Sequence, residues 1–346
     1  MEPAISASHL RDTATVERVG EKASSRLSEV HALFGADMGF VEAELLRTAG
    51  KGLRPGTDAA THLLLAGGKR VRPLCVLLAA ACFRGAELPE AARQLAVVAE
   101  LVHLATLLHD DVIDDGDERR GKPTSRRLWG NAVSVLAGDL LLTHGLERTA
   151  QAAPGPALTE LFQTLRALVD GEIVQLRGRT EVDVDEATYF AIVRDKTASL
   201  FRWASRSGAR VAGATDDAVD ALGEFGEHLG VAFQLVDDAL DYAGDAVTTG
   251  KELHADLREG KLTLPLLRAL AQRKELLPML VSAREGDDVA AERLIQAVRA
   301  TSGAEEARAL ARMETASALL ALGRLPPSPA RDLLGAVARE LTARAF

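Results

Sequence analysis

The stretch His109-Asp110-Asp111-Val112-Ile113-Asp114-Asp115 decides how this chain is read. An apolar run, Leu95 to Leu108, feeds directly into it. At helical pitch, side chains four apart share a face, so Asp110 and Asp114 point the same way, with Asp111 one step round. Carboxylates this close repel at neutral pH unless cations hold them. The pattern returns 127 residues later (237 − 110) as Val236-Asp237-Asp238-Ala239-Leu240-Asp241, again at the end of an apolar run, Phe225 to Val236. One acidic helix end is ordinarily a solvated terminus or a cap. Two copies, each closing an apolar helix and each followed by basic residues and glycine, read as two carboxylate faces sharing hard divalent cations.

Around these motifs the composition is that of an all-α protein. The chain has 346 residues, 47% of them hydrophobic, enough for a large core. Ala and Leu dominate, and proline is sparse within the apolar segments. A net charge of −9 argues against nucleic acid as a partner. Lysine and arginine gather near the acidic motifs, which points to a small anionic ligand. Cys75 and Cys82 lie seven apart on one apolar segment. On a helix that is about 10 Å, beyond disulfide reach, so they read as core thiols of a reducing compartment. The N-terminus lacks the apolar core of a signal peptide. Glu100, His103 and Asp139 interrupt the apolar segments, so no membrane span is expected and the protein is read as cytoplasmic.

Working outward, residues 1–30 form a polar arm and 31–346 a single domain. Helices are expected over Val30–Leu46, Leu74–Phe83, Glu90–Asp115, Asn131–Arg148, Leu158–Leu176, Tyr189–Ala212 and Gly223–Tyr242. Gly67-Gly68-Lys69-Arg70-Val71-Arg72 opens one of them. Its glycines leave backbone amides open and Lys69 and Arg72 share a side, which suits a diphosphate. His103, seven before Asp110, faces the first motif as either a core histidine or a ligand. Asp139, inside an apolar helix, is expected to be buried and paired. Arg119 and Arg120 follow the first motif and Lys251 and Lys261 the second, cations placed beyond each carboxylate face.

Taken together, GGKRVRP (67–73), DDVIDDGDERRGKPT (110–124), DKTASLF (195–201), FQLVDDALDY (233–242) and GKLTLP (260–265) resemble the trans-isoprenyl diphosphate synthases, also called polyprenyl synthases. The resemblance implies one large helical bundle around a deep central cavity, usually in a homodimer. It also implies three Mg²⁺ ions held by Asp110, Asp111 and Asp114 on one side and Asp237, Asp238 and Asp241 on the other. Isopentenyl diphosphate would then sit on Lys69, Arg72, His103 and Arg120. An allylic diphosphate would sit on Arg119, Lys196, Thr197, Gln234, Lys251 and Lys261, with Lys196 and Gln234 acting at the reacting end. The chain departs from the family at His254, where a glycine is usual, in the loop that carries Lys251.

In such an enzyme, the two residues one turn before Asp110, Ala105 and Thr106, would face the growing product. Neither is bulky, so a product longer than C20 is expected, with transient membrane contact as it leaves. A class I terpene cyclase is the rival enzyme. Its pocket would be aromatic to cradle carbocations, whereas this chain is 4% aromatic and carries a second complete acidic motif. A subunit of a heteromeric synthase is the other alternative.

Overall fold

The computed structural model describes residues 34–180, 185–243, 257 and 260–343. The expected N-terminal arm, Lys251 and His254 lie outside the described residues. Helix α1 (34–49) leads to α2 (Gly56–Leu65), α3 (Val71–Arg84) and α4 (Glu90–Ile113). A two-residue hairpin, β1 (Glu118–Arg119) with β2 (Lys122–Pro123), precedes α5 (Ser125–Trp129), α6 (Asn131–Ala152), α7 (Pro156–Thr180) and α8 (Glu186–Ile192). One π-helical turn, Val193–Ala198, joins α8 to α9 (Ser199–Val211), and α10 (Asp216–Ala243) follows. The remainder comprises α11 (Leu264–Gln272), α12 (Leu277–Arg284), α13 (Asp288–Arg299), α14 (Gly303–Gly323) and α15 (Pro329–Ala343). The architecture is the expected all-α bundle.

The centre is α4. Proline cannot continue the ladder upstream, and Pro89 caps the helix in extended geometry with Glu90 in the favourable first turn. Buried side chains occur all round its N-terminal two-thirds, from Ala92 to Leu104. It packs along α6 and against α3 and α9. Its length and a mean hydropathy of 1.4 over an 18-residue window would let it cross a membrane, contrary to the sequence expectation, but 67% of that window is buried inside the protein. Glu100 and His103 do not lower the mean enough to exclude it.

The second scaffold is α10, which packs along α14 and α9. A Cβ on Gly226 would lie 2.5 Å from the Phe201 carbonyl oxygen, and one on Gly230 would lie 2.5 Å from Cα of Ala198. These glycines let the two backbones approach and set the height of the second acidic motif beside the π turn. The sequence expectation of one unbroken helix over Tyr189–Ala212 is corrected here: the extra residue of the π turn re-aims Lys196 and Thr197.

Of two smaller expectations, the first holds and the second does not. Cys75 and Cys82 are unpaired, and burial pushes their thiols up to about 12 and about 11, so both are inert. Asp139 is not buried; its side chain is 56% exposed and stands 3.3 Å from His109 Nε2, because its face of α6 is turned outward.

Candidate active site

One cavity of about 1790 Å³ gathers the motifs. Its walls are the C-terminal half of α4, the loop before α3, the β1–β2 hairpin, α7, the π turn and α10. The two acidic motifs close the ends of α4 and α10, and both reach this space.

On α4, Asp110 lines the cavity with Oδ1 3.6 Å from Lys196 Nζ. Burial raises its pKa against the pull of Lys196. Asp114 caps the helix, ion-paired to Arg179 and 3.2 Å from Lys261 Nζ. Burial would raise Asp114 too, but Lys261 and Arg179 outweigh it and hold the carboxyl below its ordinary range. Asp111 departs from the expectation. It is 2% exposed, off the cavity wall, and accepts a 2.7 Å bond from Arg119 Nε. The 100° step between successive helical residues turns it toward the hairpin.

That hairpin aims the two arginines. Arg120 (φ 53) and Gly121 (φ 72) both have positive φ, the geometry of a tight two-residue hairpin turn. Register pairs Arg119 with Lys122, which puts Arg119 over Asp111 and Arg120 at the tip.

On α10, Asp237 and Asp241 line the cavity beside Asp238. Asp238 is held from both sides: Tyr189 Oη donates to Oδ2 over 2.7 Å and Gln234 Nε2 donates to Oδ1 over 2.7 Å. The Gln234 carbonyl accepts from Thr197 Oγ1 at 2.9 Å, so Thr197, Gln234, Asp238 and Tyr189 form one chain of hydrogen bonds across three elements. Lys196 is also ion-paired to Glu172 of α7.

The opposite wall is cationic. The Arg72 guanidinium lies 4.6 Å over the Phe201 ring and Lys69 Nζ 5.8 Å from the Phe233 ring centre, both cation–π contacts. Burial lowers Arg72, and its Nε has no hydrogen-bond partner. Burial first, then Arg72, Arg120, Arg119 and Arg70, push His103 well below 6.5, so its imidazole is neutral. A buried guanidinium donor without a partner, beside further cations, fits an anionic group such as a diphosphate.

Among the described residues, no three Asp, Glu, His or Cys side chains converge into a closed metal cluster. The donors are hard carboxylate oxygens at the rim of an open space. They fit an ion that takes some of its oxygens from protein and the rest from a phosphate ligand and water, as Mg²⁺ does.

Of the expected site residues, Lys69, Arg72, His103, Thr106, Asp110, Asp114, Arg119, Arg120, Lys196, Thr197, Gln234, Asp237, Asp238, Asp241 and Lys261 all line this cavity. Asp111 and Ala105 do not. Ala105 is 2% exposed in the core, and Thr106 alone of that pair meets the cavity, its hydroxyl bonded to the His103 carbonyl. Sequence reasoning missed Tyr189 and Arg179, each of which binds a motif aspartate, and gave no role to Glu100. Tyr189 lies seven before Lys196, but no spacing pointed to an aspartate 49 residues away.

The family model for polyprenyl synthetase matches residues 56–298, most of the chain and every motif described. The chain belongs to the polyprenyl synthetase family. It is 38% identical over 309 residues to heptaprenyl diphosphate synthase component 2 of Geobacillus stearothermophilus, covering 89% of this chain and 96% of that one. It is 34% identical over 314 residues to octaprenyl diphosphate synthase of Escherichia coli, covering 89% and 96%. A polyprenyl synthase of Caulobacter crescentus, crystallised with calcium and isoprenyl diphosphate, superposes with a TM-score of 0.85 at 36% identity, covering 92% of this chain and 98% of that one. As a polyprenyl synthetase this chain is a trans-prenyltransferase, which sets aside the terpene cyclase.

Proposed function

We propose that the enzyme condenses isopentenyl diphosphate head-to-tail with an allylic prenyl diphosphate, giving an all-trans polyprenyl diphosphate longer than C20. The observation that carries this reading is the pairing of two acidic motifs with a cationic wall across one cavity. Two diphosphates need two anchors, and the cavity offers two.

Lys69, Arg72, His103 and Arg120 hold the diphosphate of isopentenyl diphosphate. Neutral His103 contributes an N–H donor rather than a charge. Arg119, Lys196, Thr197 and Lys261 hold the allylic diphosphate, joined by Lys251 from beyond the second motif. Asp110, Asp114, Asp237 and Asp241 would hold the Mg²⁺ ions, three in the family-derived assignment, which also adds Asp111 and Asp238. Bound Mg²⁺ supplies electrostatic stabilisation of the departing diphosphate. Lys196 and Lys261 add positive charge where that leaving group develops its own. Gln234, fixed by Thr197 and Asp238, orients its amide toward the reacting carbons. Proton loss from the condensed product goes to the released diphosphate.

Small Thr106 leaves room beneath the allylic end, which supports a long product, as do the names of the heptaprenyl and octaprenyl relatives. We read the enzyme as a cytoplasmic homodimer that touches a membrane to release its product. The dimer is supported by apolar side chains left outside the fold on α6 and α7, Leu136 (63% exposed) and Phe162 (54%). A heteromeric enzyme is favoured by two relatives, of Geobacillus stearothermophilus and Bacillus subtilis, each named component 2 of a heptaprenyl diphosphate synthase.

The test is one incubation of purified protein, Mg²⁺ and labelled isopentenyl diphosphate with dimethylallyl, geranyl or farnesyl diphosphate in parallel. A ladder ending at one long all-trans alcohol after hydrolysis supports the reading. Products stopping at C15 or C20 retain the chemistry and overturn the length. Activity coincident with a dimer peak in gel filtration supports the homodimer; no turnover without added partner chain overturns it.

A further inference from the structure

Glu100 sits where a carboxylate is least expected. It is 2% exposed, on the cavity face of α4, one turn before His103. It is bonded to Arg70 and within electrostatic reach of Arg72 and Arg120, part of the cationic wall of the cavity. The Arg70 guanidinium is buried too. Its Nη1 donates to Glu100 Oε1 over 2.8 Å, its Nε to Glu42 Oε1 over 2.7 Å and its Nη2 to the Leu64 carbonyl over 3.4 Å.

Arg70 is also where the backbone takes a form L residues rarely adopt, φ 49 and ψ 37, at the N-cap of α3. This left-handed residue stands between Lys69 and Arg72. It turns the chain so that Lys69 reaches the Phe233 side and Arg72, two residues on, reaches Phe201. A Cβ on Gly68 would meet Arg70 Nη1 at 2.7 Å and Arg120 Nη1 at 3.3 Å, so two guanidiniums crowd the same glycine. Like charges packed this closely need a buried counter-charge before any ligand arrives. Glu100 acts favourably on Arg70, Arg72 and Arg120 alike.

We propose that Glu100 is a positioning residue for the diphosphate of isopentenyl diphosphate: through Arg70 it fixes the left-handed turn that aims Lys69 and Arg72, and it offsets the like charges of the arginine wall. This rests on the function proposed above. Glu100 touches no substrate. Its negative charge opposes binding directly, so its contribution comes through geometry.

The experiment is titration calorimetry of isopentenyl diphosphate into the protein without allylic partner, together with KM for each substrate. Glu100→Gln keeps the shape and removes the charge. Its Kd for isopentenyl diphosphate rises roughly tenfold or more, the worth of a charge-assisted bond, while KM for the allylic diphosphate stays within about twofold. The double variant Arg70→Met with Glu100→Met removes both members of the pair together with the bonds of Arg70 to Glu42. Where it keeps its helical circular dichroism, it keeps the raised Kd. An unchanged or tighter Kd in either folded variant overturns the proposal, and so does an equal rise in the allylic KM. A wild type that binds no isopentenyl diphosphate overturns the function itself; a wild type that binds, with variants that bind equally well, overturns the role of Glu100 alone.

Discussion

Arg119 Nε donates to Asp111 Oδ1 over 2.7 Å, and this bond occupies the middle carboxylate of the first acidic motif beneath the hairpin rather than at the cavity. On α10, Asp238 occupies the same place in its motif. It too is 2% exposed and held, by Tyr189 and Gln234. Both middle aspartates are thus held by neighbours, but only Asp111 leaves the cavity wall; Asp238 stays on it between Asp237 and Asp241.

Removal of a cavity-facing carboxylate is therefore expected to differ from removal of a middle one. Asp110→Ala or Asp237→Ala lowers kcat by at least ~10²-fold with helical circular dichroism retained. Asp111→Asn leaves the Mg²⁺ concentration for half-maximal rate unchanged and raises the KM of a diphosphate substrate, because Arg119 loses its anchor. A shifted Mg²⁺ requirement in Asp111→Asn would return that residue to the metal ligands.

Tyr189→Phe takes one donor from Asp238 without altering the ring contact with Phe190, 5.2 Å away. The expected cost is about 1–2 kcal/mol in urea unfolding, with a roughly tenfold fall in kcat as Gln234 loses its fixed partner. Wild-type kcat in this variant would show that Asp238 needs only Gln234.

Stability should fall on mild acidification through His103. Unfolded, this histidine takes a proton near pH 6.5; folded, burial and the arginines keep it neutral well below that. Below about pH 6.5 the unfolded chain binds the extra proton, so this contribution is complete above 6.5 and shrinks as pH drops. Urea midpoints at pH 7.5 and 5.5 measure it, and His103→Gln narrows the gap between them.

Product length gives a contrast between neighbours. Thr106→Phe places a ring in the cavity and shortens the main product toward C15–C20 while the protein stays folded. Ala105→Phe overpacks the core and costs about 1–3 kcal/mol or more in stability. Analysis of hydrolysed products beside thermal melts separates the two.

Much of this was legible before any coordinates. The acidic motifs and the basic turn before α3 read directly, because chemistry there depends on residue type at short spacing; the Lys196–Thr197 pair came in through the resemblance of the whole motif set. Helical phase placed Asp110 with Asp114 correctly. What phase alone did not settle was Asp111 and Ala105, since one step round a helix leads to core or cavity depending on which neighbours pack there. Asp139 misled for the same reason: an apolar sequence around α6 hid a face turned outward. Tyr189 and Arg179 stayed invisible because their partners lie 49 and 65 residues away. The π turn also left no mark, as it changes the phase of Lys196 without any proline or glycine to announce it.

Along α4, Glu100, His103, Thr106 and Asp110 follow one another at intervals of three, three and four. A single rod therefore serves as a ruler on which anion site, product bed and metal face are graduated together. Inserting one residue between Glu100 and Asp110 would swing everything on one side by about 100° and lose all three functions at once. The shortest insertion that nearly restores the phase is about seven residues, and it lengthens the ruler by about 10 Å. Product size in this architecture is accordingly free to drift through side-chain volume at a fixed mark, and closed to drift through the length of the helix that carries the marks.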